Sequence, residues 1–127
     1  ALESLIERTH QLGMTSMVQV RSRREALQAM ALGAQMISVD ARDYVTGQID
    51  PTLFAQIADV LGNRVIRVAA GGVRGPHDVM QYAKDGANVV VVGQAAILAT
   101  DIQQFVSNLV SAGFHPALHK LTREKNL

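Results

Sequence analysis

Four short apolar runs, each followed by a stretch with helical apolar spacing, set the strongest limit on what this chain can fold into. The runs are Thr15 to Val20, Met36 to Val39, Val65 to Ala70 and Val89 to Val92. They recur at the interval of a compact βα unit. Short runs rich in β-branched residues read as strands. With a helical pattern between each pair and short connections, the strands have to pair in parallel. The four consecutive valines at Val89 to Val92 predict a strand covered on both faces. This spacing suits an open doubly wound sheet as well as part of a barrel, so the turn motifs have to decide between them.

The helical segments carry their own start and stop signals. Leu2, Leu5, Ile6 and Leu12 fall at helical spacing before Gly13, which predicts a helix ahead of the first strand. Ser22 and Glu25 have the spacing of a capping box and open a second helix, with Ala26, Leu27, Met30 and Ala31 on one face. Asp50 is expected to cap a third helix with Pro51 in its first turn, and Leu53, Phe54, Ile57, Ala58 and Leu61 supply its buried stripe. Gly71, Gly72 and Gly75 punctuate the turn into a fourth, which points Val79, Met80 and Ala83 inward. Ile102 to Val110 is the last. The expected architecture is α/β: four βα units preceded by one helix. Residues 1–113 form the domain, and residues 114–127 a partly loose tail.

Composition narrows the function classes. At 127 residues the chain can hold one domain, about half the ~250 residues of a complete eight-stranded barrel. Trp is absent and aromatics make up 4%, so Val, Ile, Leu, Ala and Met have to build the core. A net charge of +1 with interspersed signs leaves no electrostatic footprint for nucleic acid. The longest apolar stretch, Val89 to Thr100, is broken by Gly93 and Gln94 and falls short of the ~20 residues of a membrane span. There is no Cys for a disulfide framework or thiol chemistry. A cytoplasmic location is the expectation.

Five ordered blocks decide the topology. They are Leu12-Gly13-Met14 leading into Met17-Val18-Gln19-Val20; Glu25-Ala26-Leu27 with Leu32-Gly33-Ala34; ISVDARDY from Ile37 to Tyr44; VAAGGVRG from Val68 to Gly75; and Val90-Val91-Val92-Gly93-Gln94. Together they resemble the C-terminal half of indole-3-glycerol phosphate synthases, enzymes of tryptophan biosynthesis that close and decarboxylate a phosphorylated anthranilate derivative. The resemblance implies a (βα)4 half of a TIM barrel with parallel strands.

It also implies a site whose side chains have been exchanged. Where the family carries a catalytic Glu at the end of the first of these strands, this chain has Gln19, which cannot accept a proton as a carboxylate does. The family's Glu-Ser-Gly is Ala70-Gly71-Gly72, its substrate-binding Asn is Asp40, and the Glu after its last strand glycine is Gln94. Arg42 and Asp43 persist, so Asp40 and Arg42 are the candidate substrate-binding pair. The family's two catalytic lysines belong to the N-terminal half, outside this sequence. The resemblance further implies a phosphate cradle of backbone amides at Gly71, Gly72 and Val73, and at Gly93, Gln94 and Ala95. Taken alone, these glycines serve equally well to permit tight βα turns.

No catalytic residue, cofactor or metal is assigned. His115 and His119 stand four apart around Pro116 with no acidic partner nearby, which favours a solvated tail over a metal site. His10 and His77 read as surface residues, and Arg67 as a snorkelling side chain at the end of the sheet. The main expectation is a half-barrel without synthase activity alone that retains a site for phosphate or a phosphorylated small molecule. The alternatives are the C-terminal subunit of a split synthase and an assembly or regulatory module. Open sheet edges and a concave apolar face predict a homo-oligomer, most simply a dimer.

Overall fold

The computed structural model describes residues 1–118, so the segment from His119 onward, including one member of the His115/His119 pair, lies outside the described residues. Helix α1 (Leu2–Gln11) comes first. It is followed by β1 (Met17–Val20), α2 (Arg23–Ala31), β2 (Met36–Asp40), α3 (Leu53–Leu61), β3 (Ile66–Ala70), α4 (Pro76–Lys84) and β4 (Val89–Val91). Helices α5 (Gln94–Leu98) and α6 (Ile102–Gly113) complete the described elements. The four strands form one parallel sheet in the order β1-β2-β3-β4. Strands that follow one another in space as they do in sequence, with helices between them, are the half-barrel arrangement.

The register explains which residues are covered. Val18 and Ile37 lie side by side, as do Val20, Val39, Ala69 and Val90, and all of them join the core beneath the helices. Phe54, Ile57 and Leu61 of α3 and Val79 and Tyr82 of α4 fill that layer from the helix side. The opposite pleat carries Met17, Met36 and Ile66 in one row and Asp40, Ala70 and Val91 in another. This concave face is covered at its centre, where Ser38 and Val68 are buried, and open at the edge strands and at Ile66. Met17 is 54% exposed, Ile66 43% and Val91 45%.

Several expectations change here. The valine run is not covered on both faces, because nothing stands across the concave side from Val89 and Val91. The third helix does not start at Asp50. Thr52 occupies the N-cap position, and Asp50 Oδ1 accepts from both the Thr52 backbone N–H (3.0 Å) and its hydroxyl (2.6 Å), forming a local turn ahead of the helix. Helix α2 buries Ala26 and Ala29, with Leu27 turned outward. A separate short helix, α5, precedes α6. Ser22 does cap α2 as expected: its hydroxyl accepts from Glu25 N–H at 3.1 Å, while Glu25 accepts from Arg21 N–H at 2.7 Å.

Arg67 does not snorkel into water. Its Nε–H donates to the Gly86 carbonyl at 2.6 Å, and its guanidinium also donates to the Gly62 carbonyl. Asn88 Oδ1 accepts from the Arg67 backbone N–H at 2.9 Å. One side chain thus ties together the α3–β3 and α4–β4 connections at the amino ends of the strands. His10 and His77 are exposed.

Candidate functional site

The carboxyl ends of β2, β3 and β4 and the loops that follow them frame a groove of about 510 Å³. Asp40, Arg42, Ala70, Gly71, Gly72, Gly93, Gln94 and Ala95 all line it, so the structure brings together every candidate site residue except Gln19. Gln19 is exposed on the concave side of β1, in a separate hollow against α1.

Asp40 ends β2 and is 7% exposed. Its Oδ1 accepts from the Arg42 backbone N–H at 2.9 Å, and its Oδ2 from the Tyr44 hydroxyl at 2.8 Å. Both carboxylate oxygens are therefore engaged within the β2–α3 loop. The hydrogen bond to Asp40, together with that carboxylate's charge, pushes the Tyr44 phenol above its ordinary value, and the Arg42 charge opposes this. Arg21, directly after β1, donates from one guanidinium nitrogen to the Asp40 and Arg42 carbonyls, each at 2.6 Å. Asp43 Oδ1 accepts from Val45 N–H at 2.8 Å and Thr46 N–H at 3.3 Å, and these bonds hold its carboxyl below the usual value. An antiparallel bridge between Arg42 and Ile49 closes the loop into a small hairpin. Arg42 lines the groove, and among the described residues no acceptor lies within hydrogen-bond distance of its guanidinium.

The opposite wall is backbone. The Gly71 carbonyl accepts from the Tyr82 hydroxyl at 3.1 Å, and Tyr82 packs edge-on against Phe54 with ring centroids 5.7 Å apart. Burial, helped by the Asp78 charge, pushes the Tyr82 phenol upward. Gly72 lies against Ile49 of the hairpin. Among the described residues, the backbone N–H groups of Gly72, Val73, Gln94 and Ala95 meet no protein acceptor. Unpaired donors from two adjacent loops beside a free guanidinium are suited to an anion.

Among the described residues, no Lys, His or Glu lines the groove. Its ionisable side chains are Asp40, Arg42, Tyr44 and Arg74, and Arg74 pairs with Asp78 at 3.4 Å. No group of three potential metal-ligating side chains occurs among the described residues, and no helix among them is long and apolar enough to cross a membrane. Sequence reasoning missed Arg21, Tyr44 and Tyr82. Arg21 had a legible signal, since a cation directly after a strand stands at the loop end of the sheet. Tyr44 shares the turn of Arg42 and Asp43. Tyr82 reads only as one more residue of α4.

Solved structures share the fold. Thiamine phosphate pyrophosphorylase from Pyrococcus furiosus superposes with a TM-score of 0.72 at 18% identity, over 95% of this chain and 55% of that one. A native KDPGal structure gives 0.67 at 23% identity, over 87% and 53%. Sequence relatives are closer. Indole-3-glycerol phosphate synthase from Mycolicibacterium smegmatis is 47% identical over 122 residues, covering 96% of this chain and 45% of the relative. The Parafrankia sp. synthase is 46% identical over 116 residues, covering 91% and 43%. This chain thus spans somewhat less than half the length of these curated relatives. With the indole-3-glycerol phosphate synthase family model matching residues 1–109, the chain belongs to the indole-3-glycerol phosphate synthase family.

Proposed function

We propose that this chain is a synthase-family half-barrel that binds phosphate, or the phosphate of a small molecule, in the groove and carries out no synthase chemistry alone. The observation behind this reading is the amides of Gly72, Val73, Gln94 and Ala95, which meet no acceptor among the described residues and belong to residues lining one groove together with Arg42. Backbone donors persist when side chains are exchanged, and anion binding at such loops needs little else. The proton-transfer groups do not persist. Gln19 and Ala70 stand where the family carries carboxylates, and Asp40 is engaged by Arg42 and Tyr44. Loss of a positioned acid or base costs about 100-fold or more in rate.

Titration of the purified chain with inorganic phosphate, followed by backbone amide NMR, tests the binding. Saturable shifts confined to Gly72, Val73 and Gly93 to Ala95 are expected. Unmoved amides at high phosphate overturn it. Incubation with the family's substrate should give no indoleglycerol phosphate, and turnover that survives repurification and disappears in Asp40→Ala would sink the second half of the proposal.

A second reading, a subunit that completes a barrel with a separate N-terminal half supplying the lysines, is favoured by the share of the relatives' length that this chain covers. Activity that appears on mixing with a family N-terminal half would establish it.

A further inference from the structure

Arg74 stands between two cavities. It lines the groove, and it also lines a neighbouring cleft of about 270 Å³ bounded by Ile49 and Pro51 ahead of α3 and by Asp78, Gln81 and Tyr82 of α4. Its ion-pair partner Asp78 lines the cleft but not the groove. Both residues belong to the connection from β3 into α4, and β3 is an interior strand flanked by β2 and β4. The pair is therefore set by parts of the fold that have their neighbours in place.

Two bonds of unequal quality join the pair. The Arg74 backbone N–H donates to Asp78 Oδ2 at 2.9 Å, and its Nε–H reaches the same oxygen at 3.4 Å. Arg74 precedes the Gly75 N-cap, so Asp78 reaches back from the first turn of α4 to the incoming chain. The backbone bond pins the loop to α4 with or without the guanidinium. The guanidinium contact is the long one, the Arg74 side chain is 86% exposed, and among the described residues its terminal nitrogens meet no acceptor. A solvated pair of this kind contributes little. Val73, whose amide meets no acceptor among the described residues, is the residue immediately before Arg74. Consecutive Cα atoms lie about 3.8 Å apart, so the Arg74 stem starts beside the amide cradle.

We infer that Arg74 is a second guanidinium for the anion in the groove. When phosphate or the phosphate of a small molecule binds, the guanidinium leaves Asp78 and joins Arg42 on the anion. The clamp rests on the phosphate reading of the groove and adds a residue to that site. Arginine forks onto phosphate oxygens through charge-assisted bonds roughly twice as strong as neutral ones, whereas the contact given up is single, long and solvated. No backbone movement is required, because Asp78 keeps the Arg74 N–H throughout. Asp78 is thus a positioning residue that holds the guanidinium on the cleft side while the groove is empty.

Phosphate titration of the chain at constant ionic strength, followed by NMR at the Gly72 and Val73 amides and at Arg74 Nε–H, tests the clamp. Arg74 Nε–H should shift along the same saturation curve as the amides. Arg74→Gln should weaken phosphate about tenfold, the low end for a hydrogen bond to a charged group. Asp78→Asn keeps an oxygen for the Arg74 N–H and should tighten binding about threefold, in line with a surface ion pair. Because Asp78 acts through Arg74, Asp78→Asn should change nothing once Arg74→Gln is present. Amides that shift while Arg74→Gln binds as tightly as the unaltered chain overturn the clamp and leave the groove reading standing. So does an Asp78→Asn gain of equal size with and without Arg74, which would mark simple relief of repulsion. Amides that never move overturn both.

Discussion

Gly71 leaves the space that Asp40 fills: a Cβ added at Gly71 would stand 2.3 Å from Asp40 Oδ1 and 3.1 Å from the Ala41 and Arg42 backbone nitrogens. Gly71 also has φ +86°, a left-handed conformation that side chains disfavour. A side chain at this position could not coexist with the carboxylate as it is placed here, so Asp40 and Gly71 form one coupled arrangement. Gly33 provides the control, since it has φ +85° and nothing within 4 Å of its added Cβ. Gly33→Ala should cost about 1–2 kcal/mol from backbone strain alone. Gly71→Ala should cost about 1–3 kcal/mol more, from overpacking. Urea denaturation of the two variants measures the difference, and equal losses would refute the steric coupling.

Arg21 should matter more than its place outside the groove suggests. Its two hydrogen bonds to the Asp40 and Arg42 carbonyls fix the hairpin that presents the Arg42 guanidinium. Arg21→Ala should destabilise the chain by about 1.5–3 kcal/mol, the range for bonds from a charged donor. It should also weaken phosphate binding without removing any ligand-contacting group. Unchanged stability and unchanged phosphate shifts would show that the loop holds its form without it.

Both tyrosines of the sequence are raised above their usual 10.0, Tyr44 by its bond to Asp40 and Tyr82 by burial. The folded chain therefore keeps phenolic protons that the unfolded chain gives up. This contribution to stability is fully present below pH 10 and is lost as pH climbs through the raised values. Phenolate absorbance should show both groups titrating late in the native protein. Tyr44→Phe should remove one of the two steps, and a native titration at the ordinary value would contradict the Asp40 contact.

At the acid end the sign reverses. Asp43 is held below its usual 3.8 by the Val45 and Thr46 amides, and Asp50 by the Thr52 hydroxyl and amide. Their contribution is present above that usual value and is lost as pH falls through the lowered ones. Asp43→Asn should flatten the acid limb of a stability–pH profile while leaving the neutral plateau nearly in place. An unchanged limb would place the acid sensitivity elsewhere.

Local chemistry was legible in the sequence where it depends on neighbours along the chain. Ser22 and Glu25 cap α2 because both partners lie within one turn, and the glycines after β3 turn where their spacing says. The groove was legible through ordered blocks, since the loops at one end of a parallel sheet have to converge. What escaped depends on the far side of the sheet. Val89 to Val92 has the composition of a doubly covered strand, yet no run of valines tells whether a covering layer is present. The Asp40 contacts escaped for a related reason. A substitution read in isolation shows a new carboxylate, whereas its room depends on Gly71, on the neighbouring strand's loop.

Arg67 gives the half-barrel a fixed floor. By binding the Gly86 and Gly62 carbonyls and receiving Asn88 at its own backbone, it locks the strand ends remote from the groove to a single side chain. Changes in the upper loops can then be absorbed where they arise, without sliding β3 against its neighbours. Such a division of labour lets a lineage rewrite its working end residue by residue while inheriting the same register. Gln19, Asp40, Ala70, Gly71 and Gln94 all fall on the upper side of that divide, where alteration is mechanically insulated from the fold.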